Sequence, residues 1–164
     1  GTIGSTSTAR ALVEFLARME QGKLVDPWSS LEIKRLLYLT DIRIRYAAEP
    51  TLDTSAVYFK SGSLYACGGS GPCGKYFGNS KNYMNSIATV EYDGGNGKQL
   101  RYIVALLSNV LGRNSIETHQ ALARRIHHVI ADRHGVTVPK PTRETEKVGS
   151  QEGDEEGVLP ARTH

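Results

Sequence analysis

The amino-acid sequence predicts a mixed α+β fold, an α/β sandwich in which a three-stranded antiparallel meander packs with helices. Three successive stretches, residues 56–65, 83–92 and 100–108, are rich in the β-branched and aromatic residues that favour strands. Turn-rich segments join these stretches, so neighbouring strands are expected to run antiparallel. Apolar residues recur at helical spacing before the first strand and after the last one, which indicates that helices bracket the sheet.

The first two helices have clear start signals. A run of hydroxyl residues at 5–8 precedes a helix predicted at residues 9–21. Asp26 supplies an N-cap, followed by proline at the first helical position, for a second helix at residues 27–39. The predicted apolar face of this second helix consists of Trp28, Leu31, Leu36 and Leu37, and its solvent face of Glu32, Lys34 and Arg35.

The connector at residues 40–55 is expected to be irregular. Its charged residues, which we expect to be solvated, include Asp41, Arg43 and Arg45. Further along, the glycines of residues 93–97 accept positive φ and predict a hairpin turn. The third strand is apolar without alternation, which predicts burial on both faces.

Ser115 caps a last helix that is predicted to extend to about residue 134. The predicted apolar face of this helix consists of Leu122, Ile126, Val129 and Ile130. We assign residues 1–135 to one folded domain. The composition changes at residue 136 to Pro, Thr, Glu, Gly and Lys, so residues 136–164 are predicted to form a disordered polar tail.

Composition and charge limit the classes of function. The chain of 164 residues is 39% hydrophobic and 23% charged, which is typical of one soluble domain. Residues 1–135 hold sixteen basic and eleven acidic residues (+5), and residues 136–164 hold four and six (−2), for a net charge of +3. This mild excess lacks the long basic cluster of a nucleic-acid-binding protein. No stretch approaches the ~20 apolar residues of a membrane span.

The first predicted strand contains an unusual break, Lys60-Ser61-Gly62-Ser63. A glycine inside a strand weakens it and often marks the close approach of a ligand or another backbone. A cation and two hydroxyls beside that glycine suit the binding of a carboxylate. The alternative interpretation is an exposed edge strand that carries a solvated lysine.

Two further local sequences give this break a context. Residues 7–10 read Ser-Thr-Ala-Arg at the start of a helix, and residues 19–25 read Met-Glu-Gln-Gly-Lys-Leu-Val at its end. With the Lys-Ser-Gly strand and the order of the other elements, the chain resembles class A serine β-lactamases. The Lys-[Ser/Thr]-Gly element is one that this family shares with penicillin-binding proteins. The resemblance covers residues 5–135 and implies the C-terminal half of the family's fold.

The resemblance implies a role for each residue of the break. Lys60 would supply positive potential for a substrate carboxylate and help tune nearby hydroxyls, and Ser61 would hydrogen-bond that carboxylate. Gly62 would let an acylated substrate lie against the strand. The backbone N–H of Ser63 would be one of two oxyanion-hole donors, and its side chain would also contact substrate. Lys60 and Ser63 are thus the candidate catalytic residues, beside substrate-binding residues 61–63, with no cofactor or metal implied.

The chain departs from the family at the nucleophile. No serine lies three positions before any lysine, so the Ser-x-x-Lys motif is absent. A Ser-x-Asn match at residues 80–82 follows the lysine strand, whereas the family's motif precedes its own. Met84 and Asn85 lie about where some members carry an arginine. Because the chain opens on Gly1 rather than methionine, we expect the nucleophile on polypeptide upstream of this sequence.

Other candidate sites carry weaker signals. Cys67 and Cys73 lie in a glycine-rich loop and are candidates for a disulfide, with two free thiols as the alternative. Nitrogen and sulfur ligands at zinc spacing are lacking. The pairs Arg124-Arg125 and His127-His128 lie on the last helix, where adjacent residues point in different directions. We therefore expect a solvated face there with one partly buried imidazole ring.

The resemblance implies the C-terminal portion of a serine hydrolase that forms an acyl-enzyme with a β-lactam or a D-Ala-type amide. Without the nucleophile, this chain is predicted to be inactive alone. Its expected partners are a substrate with a carboxylate and the missing N-terminal half of the domain, or a partner strand on the exposed apolar edge of strand three. A periplasmic or extracellular location would follow. The alternative is a non-catalytic peptide-binding or assembly module that uses the exposed strand edge.

Overall fold

A computed structural model describes residues 6–40, 42–66, 81–95, 97–109 and 115–139. In chain order the elements are α1 (Ala9–Glu20), α2 (Pro27–Tyr38), β1 (Ala56–Ala66), β2 (Lys81–Asp93), β3 (Gln99–Asn109) and α3 (Ile116–Arg133). Two short 3-10 helices, Arg45–Ala48 and Pro50–Leu52, lie between α2 and β1. The described chain is thus a mixed helix and sheet fold, as the sequence predicts.

The sheet is a three-stranded antiparallel meander in the order β1-β2-β3. Val57 lies opposite Val90, which in turn lies opposite Tyr102, and all three side chains are buried. Residues directly opposite each other project on the same face of a sheet, and the next residues along each strand project on the other. The register therefore assigns every side chain of the sheet to one of two faces.

The helices cover both faces. α1 contacts β2 and β3, and α2 contacts β1, whereas α3 lies over the opposite face, where the Tyr102 hydroxyl is 3.1 Å from Nδ1 of His127. Thr8, Asp26 and Ser115 cap the three helices with side-chain oxygens that accept backbone N–H groups, which confirms the predicted helix starts.

The face predicted for α2 is wrong except at Leu37, which is half-buried, and at Arg35, which is exposed as expected. Trp28, Leu31 and Leu36 are 73%, 66% and 57% exposed, while Ser30 is buried and Lys34 lies against the sheet. Ser30 can be buried because its hydroxyl hydrogen-bonds the backbone of Leu24. Polar groups that find partners in the tertiary structure therefore turned this helix by nearly half a rotation from the predicted orientation.

The face predicted for α3 is wrong in part. Ile126 and Ile130 pack against the core, but Leu122 and Val129 are exposed. The residues of α3 that are buried most completely are small or hydrogen-bonded: His119, Ala123, His127 and Ala131. β3 also differs from its prediction, because most of its middle and C-terminal residues are only half-buried.

The connector between α2 and β1 is part of the core. Tyr46 and Leu52 are buried in the cluster that α3 and the sheet share. The guanidinium of Arg43, expected to be solvated, donates to the backbone carbonyls of Leu52 and Ser55 at 3.0 Å each. One η-nitrogen of Arg45 is buried as well, so the expectation of solvated charges is wrong for both arginines. Asp41 lies outside the described residues.

The folded part of the chain extends past the predicted boundary at residue 135. Val136 is buried, and its N–H donates to the carbonyl of Ala131. Val138 packs against the same core. The predicted start of the polar tail at residue 136 is therefore too early, and residues 140–164 lie outside the described residues.

Candidate functional site

The Lys-Ser-Gly-Ser sequence lies in the second half of β1, on the outer side of the sheet. Among the described strands, β1 pairs with β2 alone. The backbone groups of an edge strand point alternately toward the neighbouring strand and away from the sheet. The outward N–H and C=O groups of β1 thus have no partner strand within the described part of the chain.

Lys60 and Ser61 project on opposite faces of the sheet, since successive side chains of a strand alternate. Lys60 lies opposite Ile87 on the face that carries α1 and α2. Ser61 lies opposite Ser86 on the face that carries α3. The two side chains therefore flank the strand edge from both sides, and a ligand at the edge is the one position that both can reach.

A cavity of about 290 Å³ opens where β1 meets the start of α1. Its wall consists of Ser7, Leu12, Lys60, Ser61, Gly62, Asn85, Ser86, Ile87 and Leu107. Lys60 is the charged residue among these, and its side chain is exposed to solvent. The cavity therefore combines a cation at its rim with an apolar wall from the two leucines and the isoleucine, a composition suited to an organic anion.

Gly62 has no structural requirement for glycine in the described fold. It is absent from the residues with positive φ, and a Cβ atom at this position would meet nothing within 4 Å. A strand glycine costs stability relative to a residue with a side chain. The open space beside Gly62 lies within the cavity, which leaves room for a ligand to contact the backbone.

The ammonium group of Lys60 donates to the backbone carbonyl of Ser61. Its contact is thus local, and it holds no carboxylate among the described residues. Ser63 lies two residues further along the edge, opposite Met84, and its side chain is exposed. All four residues of the predicted motif are therefore contiguous on one accessible strand, and Lys60, Ser61 and Gly62 also line the cavity.

Asn85 is a cavity residue to which the sequence analysis assigned no role. It lies opposite Gly62, and its Oδ1 accepts the backbone N–H of Ser108 at 3.2 Å. This bond orients the amide and leaves its NH₂ group as a donor. The sequence signal was present, because Asn85 lies about where the resemblance calls for an arginine, another side chain with N–H donors.

A cluster of charges joins α1 and α2 to the sheet at the end of β1 away from the cavity. Nζ of Lys34 on α2 lies 2.8 Å from Glu20 of α1 and 2.7 Å from Glu91 of β2. Arg101 of β3 also reaches Glu91, at 3.1 Å. Burial by itself would raise the pKa of Glu91, but the hydrogen bond and charge of Lys34 outweigh it and hold that pKa below its usual value.

Arg124 and His127 of α3 have structural partners. Arg124 binds the fully buried Glu49 through Nε at 2.7 Å and Nη2 at 3.3 Å. His127 is fully buried, contrary to the expectation of a partly buried ring on a solvated face. Burial lowers its pKa to about 4, so the ring is neutral at pH 7. His127 therefore belongs to the core and Arg124 binds a core carboxylate, whereas Arg125 is exposed as expected and His128 is half-buried.

Some predicted residues cannot be placed. Cys67 and Cys73, the candidates for a disulfide, lie outside the described residues. Within the described ranges, no group of three or more His, Cys, Asp or Glu side chains is arranged to hold a metal ion. Nor does any helix in those ranges have the length and apolar character needed to cross a membrane.

Comparisons of the chain with protein-family models, with curated proteins and with solved structures give no match.

Proposed function

We propose that β1 is the carboxylate-binding and oxyanion strand of a β-lactamase-like serine hydrolase, of which this chain is the C-terminal portion. The single observation that carries the proposal is the site on β1. Lys60, Ser61 and Gly62 line one cavity on an edge strand, and the glycine faces open space that no packing requirement explains. A ligand that lies against the backbone accounts for a glycine at that position.

The roles proposed for Lys60 and Ser61 follow from the opposite faces of the sheet on which their side chains lie. The substrate lies along the outer edge of β1, with Lys60 on one side of it and Ser61 on the other. The lysine supplies positive charge and the serine a hydroxyl donor, so a carboxylate is the group that satisfies both. The backbone N–H of Ser63 is proposed as a donor to the oxyanion of a reacting carbonyl, an effect of about 2.7–4 kcal/mol per donor.

The reaction proposed for the complete protein is acyl transfer to serine. The serine oxygen attacks the amide carbonyl, the C–N bond breaks as the nitrogen takes up a proton, and water then hydrolyses the ester. The attacking serine and its lysine are proposed to lie on polypeptide outside this sequence. This chain is accordingly proposed to bind substrate weakly and to release no product from a chromogenic cephalosporin.

Binding can be tested on the chain as it is. Because Lys60 is solvent-exposed, its attraction for an anion is weak, and we expect benzylpenicillin to bind with a Kd of about 1 mM or weaker. Titration followed by NMR should shift the backbone amide signals of residues 60–63 and 85–87. The Lys60→Met variant should abolish these shifts, and Ser61→Ala should reduce them.

Lys23→Met is the matched control, because Lys23 is an exposed lysine on the turn after α1, outside the cavity. This variant should bind benzylpenicillin like the parent chain. Shifts that are absent at high benzylpenicillin concentration, or that survive Lys60→Met, would contradict the proposal. Product release that Lys60→Ala abolishes would show that the chain holds its own nucleophile.

The outer edge of β1, which pairs with no further strand among the described residues, favours a second candidate: a non-catalytic module that binds an extended peptide along β1. An edge strand recognises such peptides through backbone pairing whatever their charge. In that case a peptide amide and its free acid should bind β1 about equally, and Lys60→Met should leave both unaffected. A preference for the free acid that depends on Lys60 supports the hydrolase proposal instead.

A further inference from the structure

The outer face of α2 is apolar and has no cover among the described residues. Trp28 is 73% exposed, Leu31 66%, Leu36 57% and Leu39 53%. At about 100° per residue, these four side chains lie within an arc of about 140° on the helix surface. A monomeric protein rarely presents so many large apolar side chains on one helix face, and such patches usually mark an interaction surface.

The charged residues within this face belong to the same arc. Glu32 and Arg35 are one turn apart and form an ion pair, with Nε of Arg35 2.9 Å from Oε2 of Glu32. Leu31 precedes the glutamate and Leu36 follows the arginine. The face is therefore a stripe with two opposite charges at its centre and apolar side chains toward both ends.

The stripe is symmetric about the midpoint between residues 33 and 34. The pairs equidistant from that midpoint are Trp28 with Leu39, Leu31 with Leu36, and Glu32 with Arg35. A two-fold axis at the height of this midpoint, perpendicular to the helix, would place each residue at the same height as its mate on an antiparallel copy of α2. Trp28 then meets Leu39 and both glutamates meet arginines, while Leu31 and Leu36 lie at the two sides of the contact and flank the charged pairs.

We propose that this face of α2 binds the same face of a second copy of the chain, as an antiparallel helix pair. A surface that is complementary to itself under a two-fold rotation is the requirement for an isologous dimer. The central Glu32 and Arg35 would set the register, because a parallel arrangement brings like charges together and a shifted one separates the opposite charges. This inference does not depend on the proposed function of β1.

Two more exposed apolar residues lie in the chain just outside α2. Val25 and Ile42 are also equidistant from the midpoint, and they are 95% and 73% exposed. Val25 has a φ of 63°, a backbone region that is unfavourable for a β-branched residue. The fold thus holds an apolar side chain outward at a conformational cost, which a contact across the dimer would offset.

A charge-reversal experiment tests the pairing. Glu32→Arg would put two arginines opposite each other at both ends of the dimer centre, and Arg35→Glu would do the same with glutamates. We expect each variant alone to dimerise about tenfold more weakly than the parent chain. An equimolar mixture of the two should regain the parent affinity, since each arginine of one then meets a glutamate of the other.

Sedimentation equilibrium of the full 164-residue chain gives the dissociation constants. Glu14→Arg and Arg18→Glu are the matched controls, because they disrupt an exposed helical ion pair on α1 outside the stripe. These variants should dimerise like the parent chain. Circular dichroism of every variant establishes that the helices remain folded, so a loss of dimer is assigned to the interface.

Three results would overturn the proposal. The first is that the parent chain sediments as a monomer at all concentrations. The second is that the single charge variants dimerise as tightly as the parent chain. The third is that the mixture associates no better than the separate variants. An oligomer that ignores all four substitutions would place the contact elsewhere on the molecule. Recovery in the mixture supports the antiparallel pair, because repulsion within one helix cannot produce it.

Discussion

Nζ of Lys34 lies 2.7 Å from Oε1 of Glu91, a contact that joins residues 57 positions apart and holds α2 on the sheet. The same ammonium binds Glu20 of α1 at 2.8 Å and lies 4.4 Å from the ring centroid of Tyr58. One side chain thereby links both helices to β1 and β2. The link holds the C-terminal end of α1, whose first half supplies Leu12 to the cavity wall.

Replacing this lysine should destabilise the fold. In Lys34→Met, Glu20 and Glu91 face each other without their shared cation, and we expect the free energy of unfolding to fall by about 2 kcal/mol. This loss is smaller than that for breaking a fully buried ion pair, because the side chains of the cluster are partly exposed. Urea unfolding at pH 7 measures it. Lys23→Met, on the exposed turn, should change little. Equal stability of the two variants would mean that the cluster contributes nothing.

The same cluster makes a prediction about pH. The folded pKa of Glu91 is lowered, so its contribution to stability is present above the unfolded pKa of about 4.5 and is lost as the pH falls through the folded value. The loss of stability below pH 4.5 should be smaller in Lys34→Met than in the parent chain. Urea midpoints at pH 7, 4 and 3 give the comparison, and parallel curves for the two proteins would contradict it.

Arg124 should be essential to the connector because Glu49 is fully buried. Arg124→Met leaves that carboxylate without its bidentate partner, and we expect a loss of about 2 kcal/mol in the free energy of unfolding. The adjacent exposed Arg125 provides the control, and Arg125→Met should be close to neutral. Adding Glu49→Gln to Arg124→Met should recover part of the loss, since it removes the unpaired charge.

His127 should make the protein less stable below about pH 6.5. The unfolded chain takes up a proton near pH 6.5, while the buried ring of the folded chain stays neutral until about pH 4. Stability should therefore decline by up to about 1.4 kcal/mol per pH unit across that window. His127→Gln, which can keep a bond to Tyr102, should reduce the slope, and His128→Gln should leave it unchanged. Urea unfolding of the parent chain and both variants between pH 7 and 4 measures these slopes.

Two glycines should respond in opposite ways to alanine. A Cβ at Gly94 would lie 2.4 Å from Cγ1 of the buried Val136, so Gly94→Ala should cost about 1–3 kcal/mol of stability. At Gly62 no atom lies within 4 Å, and Gly62→Ala should leave the melting temperature unchanged or slightly raised. Differential scanning calorimetry of both variants makes this comparison. A marked loss of stability in Gly62→Ala would mean that the fold itself requires this glycine.

Substitutions at Gly62 should weaken ligand binding without destabilising the fold. A methyl group there projects into the cavity, so Gly62→Ala and more strongly Gly62→Val should weaken the binding of benzylpenicillin while the fold persists. NMR titration of the variants measures the loss. Unchanged affinity in Gly62→Val would show that no ligand approaches the backbone at this position.

Local sequence was sufficient for the elements and their order. Thr8, Asp26 and Ser115 begin helices where their hydroxyl or carboxylate oxygens predict, and the glycines of the 93–97 segment separate two paired strands. These features depend on neighbours a few positions away. The residues of the break in β1 were likewise found from sequence, because a lysine and a glycine inside a strand conflict with ordinary strand composition.

The sequence by itself determined where helices and strands begin and end, because capping and turn formation are local. The tertiary structure alone decided which helix faces are buried, since Lys34 and His127 enter the interior through partners 57 and 25 positions away. It also decided that Lys60 and Ser61 flank an edge and that α1 closes a cavity beside them. The hydrophobic pattern of a segment does not reveal such distant partners. When these partners are present, the free energy of burying a polar group changes from unfavourable to favourable.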